Sequence, residues 1–286
     1  MRRVRSIAQV RRAVAGWRAR GLTVGLVPTM GALHEGHLSL MRRSKRQCDR
    51  TVVSIFVNPT QFAANEDLSA YPRPLSADLQ ACQREDVDLV FTPTVDVIYP
   101  AGFEMTVRVG ALGELWEGKS RPGHFDGVAT VVLKLFTIVA PDMAIFGQKD
   151  YQQSVIIRRM VVDLNLPVRI VVAPTVRESD GLALSSRNVY LDGLSREAAI
   201  GINQALIWAK SAIRTGVSRP GQLKGKMKRM IEKGGCFSLD YIGFCDPSTL
   251  LPLTFARPPL AILIAAKCLT PGPALNRRYI DNVIIN

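Results

Sequence analysis

Histidine, cysteine and long apolar runs are all scarce in this chain, and each scarcity narrows the class of protein. No apolar run approaches the roughly 18 to 20 residues needed to span a bilayer, so we predict no membrane association. The five cysteines are scattered, odd in number and without a CxxC pair, which argues against a disulfide framework and against a zinc ribbon. This pattern favours a reducing compartment, and we predict a cytoplasmic location. Histidine occurs only three times.

Acidic residues are also few, since 24 Asp and Glu stand against 37 Lys and Arg, giving a formal net charge of +13 at pH 7. The first 20 residues contain no acid. Within them Ile7, Val10, Val14 and Trp17 recur at helical spacing, which predicts an amphipathic helix whose arginines form its solvated face. A basic balance also fits an organellar transit peptide, or a surface for nucleic acid or anionic substrates. Charge alone does not separate these alternatives, and we predict no nucleic-acid partner.

Short apolar segments alternate with helical segments over the first part of the chain. Strands are predicted at 22–28, 51–59, 87–93, 141–150 and 168–176. Helices are predicted at 76–85, 127–139 and 151–164, with a further helix that begins near His37. The alternation is typical of crossover units, and it predicts an α/β fold with a parallel sheet covered by helices on both faces.

From about residue 177 the pattern changes. Two helical stretches, 195–214 and 219–233, precede short strands at 239–246, 260–267 and 279–285. We therefore predict two domains, residues 1–176 with the parallel sheet and residues 177–286 as a smaller α+β domain. The stretch 177–191 has turn chemistry and no apolar period, so we interpret it as a loop at the domain junction. Ligand sites favour such junctions and the carboxyl ends of parallel strands.

Two of the three histidines, His34 and His37, lie together in "PTMGALHEGH", directly after the first predicted strand. Gly31 and Gly36 would let a ligand approach the backbone, and a helix starting near His37 would point its amide groups at the same place. The two imidazoles could donate hydrogen bonds to phosphate oxygens. A pair of surface histidines is one alternative and a metal site is another, although the spacing is not that of HExxH and no third ligand is evident nearby.

Three further polar clusters follow predicted strands or lie at the predicted junction. Lys149 could bind phosphate and Asp150 could hold ribose hydroxyls, with Gln153 close behind them in "FGQKDYQQ". The loop "LSSR" at 184–187 offers two hydroxyls and a guanidinium. Asn58 and Gln61 follow the second strand, and their amides fit a ligand that carries hydroxyls and a carboxylate. Each cluster alone could be an exposed turn, but their common location predicts one binding site.

These motifs resemble a known family. "HEGH" is similar to the HxGH signature of adenylyl-transferring enzymes with a Rossmann-like core, and "LSSR" is similar to the second, KMSKS-like signature of that superfamily. The stretches "VPTMGALHEGH", "SIFVNPTQF", "RPGHFDGVATVV", "FGQKDYQQ" and "DGLALSSRN" together resemble the pantothenate synthetase (pantoate–β-alanine ligase) family. The resemblance covers essentially residues 4 to 250, and the chain's ending is longer than is usual in the family.

The resemblance implies a Rossmann-like, doubly wound fold and a reaction in two steps. ATP and pantoate would give pantoyl adenylate and pyrophosphate, and β-alanine would then displace AMP to give pantothenate. The smaller domain is expected to close over the active site, which would shield the adenylate from water. Magnesium is implied with ATP, without an assigned protein ligand, and the family is usually a homodimer.

The resemblance also implies the roles of individual residues. The residues matched to ATP are Met30, Gly31, Ala32, Leu33, His34, Glu35, Gly36, His37, Gly147, Gln148, Lys149, Asp150, Leu184, Ser185, Ser186 and Arg187, with the backbone of Val176 at adenine. His37 matches the catalytic proton donor, with His34 and Lys149 as further groups at the α-phosphate. Gln61 and Gln153 match the residues that hold pantoate, Gln61 also lies where β-alanine arrives, and Asn58 is a further substrate-binding candidate.

Three other functions remain alternatives at this stage. Another HxGH-type nucleotidylyltransferase acting on a small acid or phosphate would share both signatures, but it would not need the paired glutamines. A truncated tRNA synthetase or RNA-binding protein would explain the positive charge, yet no aromatic RNA platform is evident. A non-enzymatic interaction module would not need the polar clusters.

Overall fold

A computed structural model of the chain describes residues 1–63, 66 and 68–286. The chain forms two compact units. The first unit comprises Met1–Glu114, Gly118–Gln148 and Gln153–Pro174, and the second comprises Leu115–Glu117, Lys149–Gln152 and Thr175–Asn286. Two short segments of the predicted first domain, 115–117 and 149–152, therefore belong to the second unit.

The first unit is built on a six-stranded parallel sheet. Its strands are β1 (Arg2–Val4), β2 (Val24–Thr29), β3 (Arg50–Ile55), β4 (Leu89–Phe91), β5 (Met143–Gly147) and β6 (Arg169–Ala173), in the spatial order β1-β4-β3-β2-β5-β6. The helices of this part of the chain are α1 (Ile7–Arg18), α2 (Glu35–Gln47), α3 (Leu75–Arg84), α4 (Val95–Ile98), α5 (Trp116–Ser120), α6 (His124–Val139) and α7 (Tyr151–Asp163). The predicted α/β class is confirmed.

The strand order reverses at β2. From β2 the chain proceeds to β3 and β4 on one side of the sheet, whereas β5 and β6 lie on the other side. The crevice outside the carboxyl ends of β2 and β5 is therefore the switch point where doubly wound folds bind their ligands. Five of these strands were predicted, but β1 was not, because Arg2–Val4 is a three-residue edge strand with only one buried side chain.

Helices cover both faces of the sheet. On one face the predicted stripe of α1 is confirmed, since Val10 and Val14 are buried and Ile7 and Trp17 pack against the same core as α6. On the other face α2 packs onto β2, β3 and β5 through residues that include Met41. Strands covered on both faces must be apolar along their whole length, which explains the continuous apolar runs in the sequence.

The second unit contains a three-stranded antiparallel sheet and two helices. Its strands are β7 (Phe237–Cys245), β8 (Leu260–Cys268) and β9 (Arg278–Ile285), with β8 in the centre, and its helices are α8 (Gly193–Arg214) and α9 (Pro220–Ile231). The pairing of β9 with β8 runs from Arg278 opposite Lys267 to Ile285 opposite Leu260. The α8 helix begins where the Asp192 carboxylate accepts a hydrogen bond from the Ser195 amide at 3.0 Å.

The two earlier segments are built into this second unit by specific contacts. The Trp116 ring lies over Gly243 of β7, where a Cβ atom would come within 2.9 Å of the ring, and its indole N–H donates to the Leu250 carbonyl at 2.8 Å. The Gln152 side chain donates to the Leu115 carbonyl at 2.8 Å and accepts from the Glu117 amide at 3.1 Å. Within the described residues, no helix is long and apolar enough to cross a membrane.

A single glycine sets how closely α2 packs on the sheet. Gly25 lies in β2 beneath the helix, and a Cβ atom there would be 2.2 Å from Ser44 Oγ. Ser44 Oγ is fully buried and hydrogen-bonded to Thr51 Oγ1 at 2.8 Å, so it has little room to move. The absence of a side chain at Gly25 therefore fixes the position of α2, whose N-cap and first turn carry the two histidines.

We expect Gly25→Ala to lower the free energy of unfolding by about 1–3 kcal/mol, because the added methyl overpacks this contact. Urea unfolding of Gly25→Ala and of the double variant Gly25→Ala/Ser44→Ala would check it, since the double variant removes the clashing oxygen and should recover most of the loss. Gly16→Ala is the matched control, because no atom lies within 4 Å of a Cβ there. A Gly25→Ala variant as stable as Gly16→Ala would contradict the close contact.

Candidate active site

The loop after β2 is held by a buried carboxylate. Gly31 and Ala32 both have positive φ angles, of 83° and 50°, so the chain turns sharply there. Asp78 of α3 is 2% exposed, and its two oxygens accept from the amides of Ala32 at 3.0 Å and Leu33 at 2.8 Å. A Cβ atom at Gly31 would lie 2.8 Å from the same carboxylate, so glycine is required at this approach.

Asp78 was missed by the sequence analysis. The available signal was its position on α3, where it shares the buried face with Ala81 and Cys82 at spacings of three and four residues. A charged residue on the apolar face of a helix is rarely buried without a partner. Its partners are the amides of the histidine loop.

His34 and His37 cap α2 together. His34 is the N-cap residue, and the helix starts at Glu35, two residues before the position near His37 that was predicted. His34 Nδ1 accepts from the Gly36 amide at 3.2 Å, and His37 Nδ1 accepts from the His34 amide at 3.3 Å. An imidazole nitrogen that accepts carries no proton, so each neutral ring is protonated at Nε2. The ring centroids lie 4.1 Å apart.

The carboxylate of Glu35 is engaged in an ion pair. It lies 2.5 Å from Arg42 of the same helix, and Arg42 also contacts Glu85 at 2.6 Å. Hydrogen bonds with Glu85 and Glu35 hold the pKa of Arg42 above its usual range. The Glu35 side chain, which is among those matched to ATP, thus pairs with a cation of its own helix.

Gln61 is brought against the same loop. Its Nε2 lies 3.0 Å from Met30 Sδ, and its Oε1 accepts from Asn58 Nδ2 at 3.2 Å. Asn58 is 1% exposed, donates also to the Gly127 carbonyl at 3.1 Å, and accepts from the Tyr99 hydroxyl at 2.8 Å. Burial raises the pKa of Tyr99, so its hydroxyl stays protonated and able to donate. Asn58 therefore orients Gln61 through protein hydrogen bonds.

The third histidine, which the sequence analysis gave no role, holds the backbone of Gln61. His124 Nδ1 lies 2.8 Å from the Gln61 carbonyl oxygen, and its Nε2 lies 3.0 Å from Arg121 Nη1. Because a guanidinium only donates, Nε2 is the acceptor and Nδ1–H donates to Gln61. Arg121 also pairs with Glu66 at 2.6 Å. Burial is the largest single influence and would raise the pKa of Glu66, but the hydrogen bond and charge of Arg121, together with the Ala63 amide and His124, lower that pKa on balance.

The other predicted residues of the first unit follow β5. Because β5 pairs with β2 in parallel, Gly147 and Gln148 come at the same edge of the sheet as the histidine loop. Gln153 lies half-buried in the first turn of α7. The first unit thus places 30–37 and 58–61 in direct contact, with Gly147 at the end of the neighbouring strand.

The second unit holds the remaining predicted residues. Lys149 Nζ lies 3.7 Å from Asp150 Oδ1, and the Lys149 carbonyl accepts from Asn282 Nδ2 at 2.9 Å. The Val176 carbonyl accepts from the Leu184 amide at 3.0 Å, which brings these two predicted residues together. In the following turn Ser185 Oγ accepts from the Arg187 amide at 3.3 Å, and residues 184–187 are all half-buried.

The side chains of the site do not form a closed metal cage. Among residues 1–63, 66 and 68–286, no group of three or more His, Cys, Asp or Glu side chains lies close enough to hold a metal ion. Magnesium usually keeps several waters and binds through one or two carboxylates and the substrate's phosphates.

The first unit thus defines a class of protein. A doubly wound parallel sheet, with a helix N-terminus and two Nε2-protonated histidines at its switch point, is a nucleotide-binding fold of the Rossmann-like type.

Comparison with known proteins narrows this class to one family. A sequence model of the pantoate-beta-alanine ligase family matches residues 2–284. The chain is 47% identical over 285 residues to the pantothenate synthetase of Moorella thermoacetica, covering 100% of this chain and 99% of that protein. It is 48% identical over 287 residues to that of Brucella suis, covering 100% and 96%. The chain belongs to the pantoate–β-alanine ligase family, and the predicted resemblance is confirmed.

Solved structures agree with this assignment. The pantothenate synthetase of Thermus thermophilus matches with a TM-score of 0.90 at 44% identity, covering 99% of each chain. The pantoate-beta-alanine ligase of Francisella tularensis, complexed with beta-gamma ATP and beta-alanine, matches with a TM-score of 0.79 at 34% identity, covering 99% of this chain and 97% of that one.

Asp78→Asn provides a test of how the histidine loop is held. The substitution keeps the size of the side chain but replaces one accepting oxygen with a donor, so we expect a loss of about 1–3 kcal/mol in unfolding free energy. Hydrogen exchange measured by mass spectrometry should also become faster in a peptide spanning 30–37. Asp86→Asn is the control, because that carboxylate is exposed and its ion pair with Lys45 lies at the surface. Unchanged exchange in 30–37 would contradict the role of Asp78.

Proposed function

We propose that this chain joins pantoate to β-alanine at the expense of ATP, through a pantoyl-adenylate intermediate. In the first step a pantoate carboxylate oxygen attacks the α-phosphorus of ATP, and the bond to the β-phosphate breaks to release pyrophosphate. In the second step the amine of β-alanine attacks the acyl carbon, the bond to AMP breaks, and the nitrogen loses a proton. The observation that carries the proposal is the Nε2-protonated histidine pair at the start of α2, with Gln61 against the same loop.

The histidines suit the charge that develops in the first step. Negative charge builds up on the α-phosphate as pyrophosphate leaves, and donors fixed in advance stabilise such charge without reorganisation. The Nδ1 atoms of His34 and His37 are engaged with the backbone, so each ring presents Nε2–H as its donor. We assign His37 as the catalytic proton donor, with His34 and Lys149 as further donors to the phosphates.

The other nucleotide contacts follow the matched motifs. We propose that ATP is bound by residues 30–37 and 147–150, by the backbone of Val176 and by residues 184–187. Magnesium would enter as the complex with ATP and would neutralise phosphate charge in the first step.

Gln61 and Gln153 are proposed to hold pantoate, and Gln61 also to meet β-alanine. An amide both donates and accepts, so it suits a ligand with hydroxyls and a carboxylate. The hydrogen bonds to Asn58 and His124 support this assignment, because they fix the side chain and the backbone of Gln61 in advance.

We further propose that the protein is cytoplasmic and forms a homodimer.

Exchange of radiolabelled pyrophosphate into ATP tests the two-step reaction. We expect exchange that requires pantoate but not β-alanine, because the adenylate forms before the amine is used. Wild-type protein with MgATP, with and without pantoate, is the complete experiment. Exchange that needs β-alanine would rule out a free adenylate step.

Substitution of His37 and Gln153 separates phosphate chemistry from substrate binding. We expect His37→Ala to slow exchange by roughly 10²–10³-fold, the scale for losing one preorganised donor. We expect Gln153→Ala to weaken pantoate binding by about 5- to 150-fold, the equivalent of 1–3 kcal/mol, and to leave the Kd of ATP nearly unchanged. Calorimetric titration with ATP and with pantoate measures both constants. If Gln153→Ala lost ATP as severely as pantoate, the substrate assignment would be wrong.

A further inference from the structure

The C-terminal strand β9 carries three polar side chains that are almost fully buried. Tyr279, Asp281 and Asn282 are 5%, 4% and 3% exposed. Burying a hydroxyl, a carboxylate and an amide costs free energy unless each finds a partner. Each of the three groups has such a partner outside the sheet.

All three side chains bond to segments that carry proposed nucleotide-binding residues of the second unit. The Tyr279 hydroxyl donates to the Arg187 carbonyl at 3.0 Å. The Asn282 amide donates to the Lys149 carbonyl at 2.9 Å. The Asp281 carboxylate accepts hydrogen bonds from both terminal nitrogens of Arg177, at 2.6 and 2.9 Å. Arg177 directly follows Val176, which is proposed to contact adenine.

Two of these bonds hold main-chain carbonyls, and the third fixes a hairpin. Arg177 Nη1 also donates to the Gly181 carbonyl at 3.0 Å, so the pair with Asp281 ties down the turn that joins Val176 to Leu184. Main-chain positions decide where the Lys149 ammonium and the 184–187 loop are presented. The three side chains of β9 thus hold the main chain of these segments, and they use none of the side chains at 149 or 184–187 that are proposed to contact the nucleotide.

The strand itself is well suited to hold other segments. It pairs with β8 at eight successive positions, and Tyr279 and Ile285 belong to the apolar core of the second unit. Apolar side chains at 279, 281 and 282 would serve the sheet alone at least as well, because a buried ion pair seldom adds net stability over a hydrophobic replacement. The polar side chains at these three positions are therefore explained by their hydrogen bonds to Arg187, Arg177 and Lys149.

We propose that β9 is the positioning strand for the part of the nucleotide site that the second unit supplies, with Tyr279, Asp281 and Asn282 as positioning residues. The inference rests on the proposed function, because the three segments are matched to ATP by family motifs. It deepens that function by making nucleotide affinity depend on the chain's ending, outside the segments that carry the signatures.

Tyr279→Phe and Asn282→Leu are the sharpest variants. Each keeps the approximate size of the side chain without adding a charge, and each removes the donor to one carbonyl, that of Arg187 in the first case and that of Lys149 in the second. Val283→Ala is the control on the same strand, because it trims the apolar core of the second unit and touches none of the three segments by a hydrogen bond. Each full-length variant is titrated calorimetrically with α,β-methylene ATP and with pantoate, and is assayed for pyrophosphate exchange.

We expect each of the two variants to weaken binding of the ATP analogue by about 3- to 10-fold, the effect of one lost hydrogen bond, with pantoate binding unchanged. Val283→Ala should lose at least as much thermal stability without that selective loss. Wild-type affinity for the analogue in both variants would overturn the inference, and so would equal losses for analogue and pantoate, or an equal effect of Val283→Ala. A wild-type chain without pantoate-dependent exchange would instead overturn the proposed function.

Discussion

The capping of α2 by two imidazoles is the interaction on which the site depends. The first amides of a helix have no partner within it, and here Nδ1 of His34 satisfies one of them. His37 Nδ1 in turn accepts the amide of His34 itself. Because these bonds use Nδ1, they determine which nitrogen keeps the proton, so a structural requirement of the helix also sets the chemistry of the two rings. Much of the neighbouring structure keeps this cap at the end of β2.

Two buried contacts do so from opposite directions. Asp78 binds the amides of Ala32 and Leu33 immediately before the cap, and Gly25 lets α2 approach the sheet from below. Gln61 is held in a similar way by neutral groups, since Asn58 donates a hydrogen bond to its side chain and His124 donates one to its carbonyl. Asp78 thus holds the loop that carries the histidines, and Asn58 and His124 hold Gln61, so the groups proposed to contact the ligands are oriented by residues behind them.

Local patterns were enough to predict the strands with apolar runs, the longer helices between them and the polar clusters at the strand ends, but not the short helices α4 and α5. They were not enough for β1, because Arg2–Val4 has no apolar run and is defined only by its pairing with β4. Asp78 and His124 were also missed, because their roles come from contacts with loops distant in sequence. The same holds for β9, whose bonds to Lys149, Arg177 and Arg187 span 133, 104 and 92 residues. The helix predicted to start near His37 begins two residues earlier, and its imidazole cap was not expected because imidazole is not among the usual capping groups.

The second unit is discontinuous in sequence, and this limits how it can be excised. A fragment beginning at Thr175 would contain all of its strands but neither 115–117 nor 149–152. In such a fragment the Trp116 ring would no longer pack over Gly243, and the Leu250 carbonyl would lose the hydrogen bond from the indole N–H. The amide of Asn282 would lose the Lys149 carbonyl as well. No single cut therefore releases the unit whole, and during synthesis it is complete only when its last strand joins segments made more than a hundred residues earlier.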